Sequence, residues 1–363
     1  MFLVMHNKNQ NAEPWHATRE QAYQAAILVT RGKCAGQIAD VLFGDRQPVS
    51  LKRVARLLEY AQESGVMSLH CSRYERLEKQ LTEQFGQRFT FRVVNNDHVI
   101  QEDNGVVDEE YRSDALCKEA AQVVAERIEK LLKEKGPHRK SIVIAIAGGV
   151  AASKTARFLA AHKTVPEEAD TRKLLFISLN SASMPTSYGL SANTLAVRMA
   201  EVYRARHIAL APICPDDVGA EYKRAVQNID LLICGVGTKH GILFQWLEKH
   251  VHIELPKGAI GDICLIPVSA TGEELVLQGN GPQLARKILH PNPSYADLQA
   301  LGARDGVILI PVGYQTDDKS REERVGQGTL HSKLEMTRAI LRRDLAHTCV
   351  LGATLAQDLI DNP

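Results

Sequence analysis

Residues 142–159 read IVIAIAGGVAASKTARFL. An apolar run ends in the pair Gly148-Gly149, and a helical pattern starts just after it. A strand that feeds a glycine turn and then a helix aims backbone N–H groups and the positive end of the helix dipole at one spot, which suits an anion. The stretch also approaches the ATPase phosphate loop GxxxxGK[ST]: from Gly148 it reads GGVAASKT, with Lys154 and Thr155 in register and Ser153 where the second glycine belongs. That missing glycine is one the loop's backbone conformation requires. No later apolar strand ends in an aspartate to hold Mg²⁺, since the aspartate of NIDLLICGVG precedes its strand. The stretch reads as a phosphate cradle without hydrolysis.

Outward from it, strand and helix patterns alternate. SIVIAIA, KLLFISLN, HIALAP, DLLICGVG, DICLIPV, GVILIPV and HTCVLGA read as strands. ASKTARFLAAH, SANTLAVRMAEVYRA, DVGAEYKRAVQN, GILFQWLEKH, HSKLEMTRAILRRD and ATLAQDLIDN read as helices. A long amphipathic helix, SDALCKEAAQVVAERIEKLLKEKG, leads in, with Ser113 expected as its cap and Gly136 near its end. Near-continuous apolar strands between helices predict an α/β fold with a doubly wound, mostly parallel sheet. Ligands of such sheets bind beyond the carboxyl ends of the strands. Those ends carry Gly148 and Gly149, then Asn180 and Ser181, then Gly235, Gly237 and Thr238, and Asp262. One glycine turn alone is what any tight strand–helix junction needs; two, with a polar third, predict a site for a small polar ligand bearing a phosphate.

The first seventy residues differ. REQAYQAAILVT and AGQIADVLFG read as helices, and Ile38, Ala39 and Leu42 fall on one face of the second. Pro48 is read as barring a helix, with Ser50 as the N-cap of SLKRVARLLEYAQESG. In that helix Val54, Leu57, Leu58 and Ala61 form a core-facing stripe, Gly65 marks the stop, and VMSLH alternates as a short strand. Helix, helix, turn, helix, strand is the outline of a winged helix-turn-helix, whose third helix enters the major groove. Lys52, Arg53 and Arg56 lie off the stripe near the start of that helix, where they suit phosphates or guanine edges; they also suit a plain solvated face.

RYERLEKQLTEQFG follows, with Tyr74, Leu77, Leu81 and Phe85 at coiled-coil-like spacing. It serves either as a linker helix that joins subunits or as a helix packed on its own domain. RFTFRVV alternates as a strand, and the acidic stretch NNDHVIQEDNGVVDEEYRSD reads as a surface loop.

Lysine plus arginine (44) nearly balances aspartate plus glutamate (43), which excludes a chain basic overall but not a local basic face. None of the seven cysteines sits in a CxxC pair and their number is odd, so metal spacing and a disulfide framework are not indicated. Several lie in apolar runs as small hydrophobes, which favours a cytoplasmic location. No stretch reaches the ~20 apolar residues of a membrane helix, so no membrane partner is expected.

Together the pieces resemble the SorC family of sugar-binding transcriptional regulators, also grouped with DeoR. VARLLEYAQESGVMSL is similar to the family's recognition helix and the start of its wing, and RLEKQLTEQFG to its linker. IAIAGGVAASKTARFLA resembles its first ligand loop, with IDLLICGVGT and KGAIGDICLIPVSATGEEL resembling further stretches. SKLEMTRAILRRDLAHTCVLGATLAQDLI resembles the closing helix–strand–helix. The resemblance implies a winged helix-turn-helix DNA-binding domain in 1–72, a linker helix with a connecting strand and loop in 73–112, and an effector-binding and oligomerisation domain in 113–363. That last domain is related to sugar-phosphate isomerases and CoA transferases but not catalytic. It further implies a double-stranded DNA operator, a phosphorylated sugar or related metabolite as effector, a homodimer or homotetramer, and no cofactor or metal. Family members often carry hydroxyl residues just after the first glycines; here Val150 and Ala151 stand there, so backbone N–H groups, Ser153 or Lys154 must compensate. A lysine of the late helix commonly reaches the phosphate; its place falls on Met336, with Lys333 one turn earlier. The alternative is an isomerase- or transferase-like enzyme, which needs a carboxylate on the rim, and Asp262 is the candidate.

Overall fold

The structure is a computed structural model. It describes residues 18–30, 33, 35–44, 47–63, 73–94, 109–135, 140–162, 170–179, 191–208, 219–238, 256–276, 293–312 and 329–362. They fall into two compact units, one formed by the helices that end at Glu63 and one by everything described from Arg73 onward.

The first unit holds α1 (Arg19–Thr30), α2 (Ala35–Phe43) and α3 (Pro48–Glu63). Its core is one cluster: Ala22, Ala25, Ala26, Ile38, Ala39, Val54, Leu57, Leu58 and Ala61. The expected stripe of the third helix is the buried one. Its expected start is corrected: the helix opens at Pro48, and Ser50 lies inside the first turn rather than capping it. Proline is tolerated there because its missing N–H is one a helix start leaves unpaired anyway. The N–H groups of Ser50 and Leu51 donate to the Gln47 carbonyl at 2.8 and 3.1 Å, closing the turn one residue before the proline. Gly44, at φ 76°, ends α2. The strand expected at VMSLH and the stop at Gly65 lie outside the described residues.

The second unit is an α/β structure around a seven-stranded sheet, every adjacent pair parallel. Its strands are β1 (Thr90–Val94), β2 (Ile142–Ile146), β3 (Leu174–Ser178), β4 (Arg206–Ile208), β5 (Ile229–Cys234), β9 (Val307–Leu309) and β10 (Thr348–Gly352), in the order β1-β10-β9-β5-β2-β3-β4. A second sheet pairs β6 (Gly237–Thr238), β7 (Ala259–Ile263) and β8 (Ile266–Ser269) antiparallel. The helices are α4 (Glu75–Phe85), α5 (Glu109–Lys135), α6 (Val150–His162), α7 (Ala192–Tyr203), α8 (Ala220–Gln227), α9 (Tyr295–Ala303), α10 (Thr329–Arg342) and α11 (Ala353–Asp361).

Both faces of the large sheet are covered, so β2, β3, β5 and β10 are buried at every residue and need apolar side chains on both sides. Ile142, Ile144 and Ile146 enter one core with residues of α5, α6 and α7. Val143, Ala145 and Ala147 enter the other with residues of α4, α8, α9, α10 and α11.

Three expectations change. DICLIPV is not a strand of the large sheet: Cys264 (φ 49°) and Leu265 (φ 68°) turn the chain back as a two-residue hairpin loop, and β7 and β8 flank it. Pro267 sits on the outer strand of that sheet, where a missing N–H is tolerated. The long helix starts at Glu109, so Ser113 is internal to it rather than its cap. β1, from the connecting segment, joins the large sheet as its edge, paired with β10 from Thr90↔Thr348 to Val94↔Gly352. The helix before it packs on its own unit. Leu81 is buried, Gln84 donates to the Leu359 carbonyl of α11 at 3.2 Å, and Phe85 lies 6.1 Å from the Phe91 ring of β1. GILFQWLEKH lies outside the described residues. Among the described residues no helix is long and apolar enough to cross a membrane.

Candidate functional site

From β2 the chain winds through β3 and β4 in one direction, then returns to place β5 on the other side of β2. The strand order reverses between β2 and β5, and such a reversal opens a crevice at the carboxyl ends of the two strands. Both glycine loops leave from there. Gly148 and Gly149 follow β2, while Gly235 and Gly237 follow β5, whose Ile233 is in register with Ile146. Gly149 adopts φ 106°, and its carbonyl accepts the Ser153 N–H at 3.0 Å as the first turn of α6 closes. Val150 is exposed and Ala151 buried. A Cβ on Gly235 would stand 3.3 Å from the Ala151 Cβ, so the two loops touch.

The small sheet closes the second loop. Gly237 pairs with Asp262 and Thr238 with Gly261. A Cβ on Gly237 would fall 1.8 Å from Asp262 Oδ1, and one on Gly261 2.3 Å from the Gly237 carbonyl and 2.7 Å from the Met336 side chain. Neither position has room for any side chain. Asp262 is buried, its Oδ2 accepting the Leu265 N–H at 3.1 Å across the hairpin turn. Burial pushes its carboxyl up to about 6, against the pull of that N–H and of the Lys333 charge. Lys333 reaches in from α10 and donates from Nζ to the Val236 carbonyl. Burial lowers its ammonium to about 8, against the pull of Asp262. Met336 is buried against Gly261, so the ammonium of this helix arrives from one turn earlier.

The structure thus brings together Gly149, Ala151, Gly235, Gly237, Thr238, Asp262 and Lys333, with Gly148 and Val150 at the edge. Lys154 turns elsewhere: its Nζ meets Asp114 Oδ1 of α5 at 2.8 Å, and Arg157 meets the other oxygen at 2.8 Å. Ser153 lies in the first turn of α6, partly buried. Asn180 and Ser181 lie outside the described residues. Two groups not singled out from sequence matter here, the Val236 carbonyl and Asp114; neither carries a local signal, since both act through partners distant along the chain. Asp230, the aspartate considered for Mg²⁺, sits at the opposite end of β5 and accepts the Val143 N–H at 3.0 Å.

On α3, Lys52 and Arg56 are exposed one turn apart, away from the buried stripe. Arg53 is partly buried, its guanidinium 5.7 Å from the centre of the Phe43 ring. Ser50 is buried within the head and presents nothing to an outside partner.

The chain is similar to solved structures of transcriptional regulators. The full-length sorbitol operon regulator SorC from Klebsiella pneumoniae matches with a TM-score of 0.52 over 94% of this chain and 98% of its own, at 16% identity. The chain has the fold of this regulator. A DeoR family transcriptional regulator from Listeria monocytogenes matches with a TM-score of 0.52 over 78% of this chain and 98% of its own, at 19% identity. A transcriptional regulator from Streptococcus pneumoniae matches at 0.53 over 79% and 96%, at 13% identity. No protein-family model and no curated protein matches the chain.

Proposed function

We propose that this chain is a ligand-responsive regulator of transcription. Its head grips duplex operator DNA through Lys52, Arg53 and Arg56, and its second unit holds a small sugar-like metabolite, a phosphorylated sugar or a relative of one, that changes the grip. The observation that carries this reading is the convergence of both glycine loops, Asp262 and Lys333 where the strand order reverses. That the solved structures of this fold are named as transcriptional regulators supports it. Exposed cations on the third helix of a trihelical head supply sequence-independent, salt-sensitive affinity, and some of them read bases. The metabolite acts by binding one arrangement of the protein better than another, and it shifts DNA affinity only by that difference. Such a regulator works in the cytoplasm as a homodimer or homotetramer on paired half-sites.

The metabolite is held rather than transformed. One oxygen of Asp262 is occupied by the Leu265 N–H and the other lies over Gly237, an arrangement that supports a fixed structural carboxylate more than a base free to collect a proton from a substrate. The test is a thermal-shift screen of plain and phosphorylated sugars, followed by titration of labelled duplex from the chain's own upstream region with and without each hit. A hit that alters duplex affinity supports the reading. Turnover of a sugar phosphate that disappears in Asp262→Asn would replace it with the enzyme.

A further inference from the structure

We propose that an anionic group entering this site at Lys333 is taken up together with one proton, and that the proton comes to rest on Asp262. The inference rests on the reading of the crevice as a metabolite site and specifies the charge chemistry of what it holds.

Asp262 is faced by ionisable side chains from two elements. From α10 comes Lys333; from the hairpin turn comes Cys264, whose thiol meets that of Cys234 at the end of β5. Neither β6 nor β8 carries an ionisable side chain. Glu335, next on α10, is exposed. Contact with Cys234 and burial hold the Cys264 thiol in its neutral form. Among the described residues, the Leu265 N–H and then the Lys333 charge favour the ionised form of Asp262, and of the two only Lys333 is a cation. An ammonium has three donors. One of them is committed to the Val236 carbonyl, within the second glycine loop. An anion that settles on the loops meets the same ammonium and competes with Asp262 for its field.

Two negative groups would then share one cation in a place shielded from water. Like charges so placed do not both stay ionised when one can bind a proton. Asp262 is that one: it is desolvated and, among the described residues, accepts from a single N–H donor, and its carboxyl already titrates not far below neutrality. The neutral acid still accepts the Leu265 N–H through one oxygen, so the hairpin is undisturbed. The balance is simple: solvent supplies one proton per anion bound, and the carboxylate becomes a carboxylic acid.

Sulfate is the probe, because it stays a dianion throughout the range of interest and any proton bound must go to the protein. Infrared difference spectra of the full chain are recorded during a sulfate titration at pH 7.5, beside calorimetric titrations at pH 6.5 and 7.5. The expected results are a protonated-carboxyl band that grows with saturation and is missing in Asp262→Asn, and affinity about tenfold weaker at the higher pH, as one linked proton requires. Asparagine keeps the acceptor for Leu265, and the wild-type titrations decide the matter even without the variant. Saturable sulfate binding with no such band, or with the same band in Asp262→Asn, overturns the proposal. So does a chain that binds no sulfate at either pH. The regulator reading fails separately, if no metabolite alters duplex affinity; a metabolite that does so without proton uptake leaves that reading standing and removes this one.

Discussion

The two glycine loops sit side by side yet need glycine for opposite reasons. At the first, Gly149 has open space around its missing side chain but a backbone at φ 106° that other residues rarely adopt. At the second, Gly237 has an ordinary backbone but no space, because the Asp262 carboxylate lies where its Cβ would be. Their lysines differ in the same way. Lys154, beside the first loop, is turned outward onto Asp114, whereas Lys333 is turned into the second loop and onto the Val236 carbonyl. The lesson is that the first loop offers conformation and backbone N–H groups, while the second holds the charge. A glycine-rich stretch with a lysine five residues on does not by itself say where the cation points.

The largest expected effect that tests this contrast is at the second loop. Gly237→Ala drives a Cβ into Asp262 and is expected to cost about 3 kcal/mol in denaturant unfolding, the upper range for forcing atoms into a packed place. A melting curve within a degree or two of wild type would break the contrast. Next comes the pH dependence of Asp262. Its folded carboxyl titrates at about 6 against an ordinary 3.8, so the native state holds the extra proton between those values and stability falls as pH rises through them. Relative to Asp262→Asn, which mimics the protonated form, wild type should lose roughly 2–3 kcal/mol between pH 4 and 6 and little more up to pH 7.5. Parallel stability–pH curves for the two proteins would contradict this.

At the first loop the effects are smaller. Gly149→Ala should cost about 1–2 kcal/mol from backbone strain alone, and Gly149→Asn should recover part of it, because asparagine tolerates positive φ better. Equal losses for both variants would mean that space, not conformation, limits the first loop. The smallest effect is expected at Lys154→Met: Arg157 remains on Asp114, and affinity for an anionic metabolite should change less than about twofold. A tenfold loss would show that Lys154 turns to the ligand after all.

Much of this was legible in the chain, unevenly. β2 is a continuous apolar run and β5 is apolar but for Asp230 near its start, both are followed by glycines, and burial on both faces favours that composition. The stripe of α3 was equally plain, because 3.6-residue periodicity is strong over sixteen residues. Its start is not legible in the same way, because Pro48 reads as a barrier in the chain although the first turn of a helix is where proline fits. The hairpin in DICLIPV is hidden for a different reason. Its turn residues, Cys264 and Leu265, are not the glycine and asparagine that such turns favour, and the contacts that support them, Leu265 N–H on Asp262 and Cys264 on Cys234, are tertiary. The direction of each lysine was also beyond local pattern. Asp114 lies forty residues before Lys154 in sequence, and Val236 nearly a hundred before Lys333, so only the closed fold brings them together.

The claim on which the account turns is that the crevice at Lys333 governs the grip of the head on DNA. Its most direct measurement is the duplex affinity of wild type and Lys333→Met, each with and without a metabolite that stabilises the wild-type chain in a thermal shift. The account predicts that both proteins bind the upstream duplex alike when alone, with affinity falling steeply as salt rises. It predicts that the metabolite changes wild-type affinity by about fivefold or more, the usual scale of coupling between sites, and leaves Lys333→Met unchanged. A metabolite that moves both proteins equally, or a chain that ignores duplex DNA at every salt concentration, would contradict it.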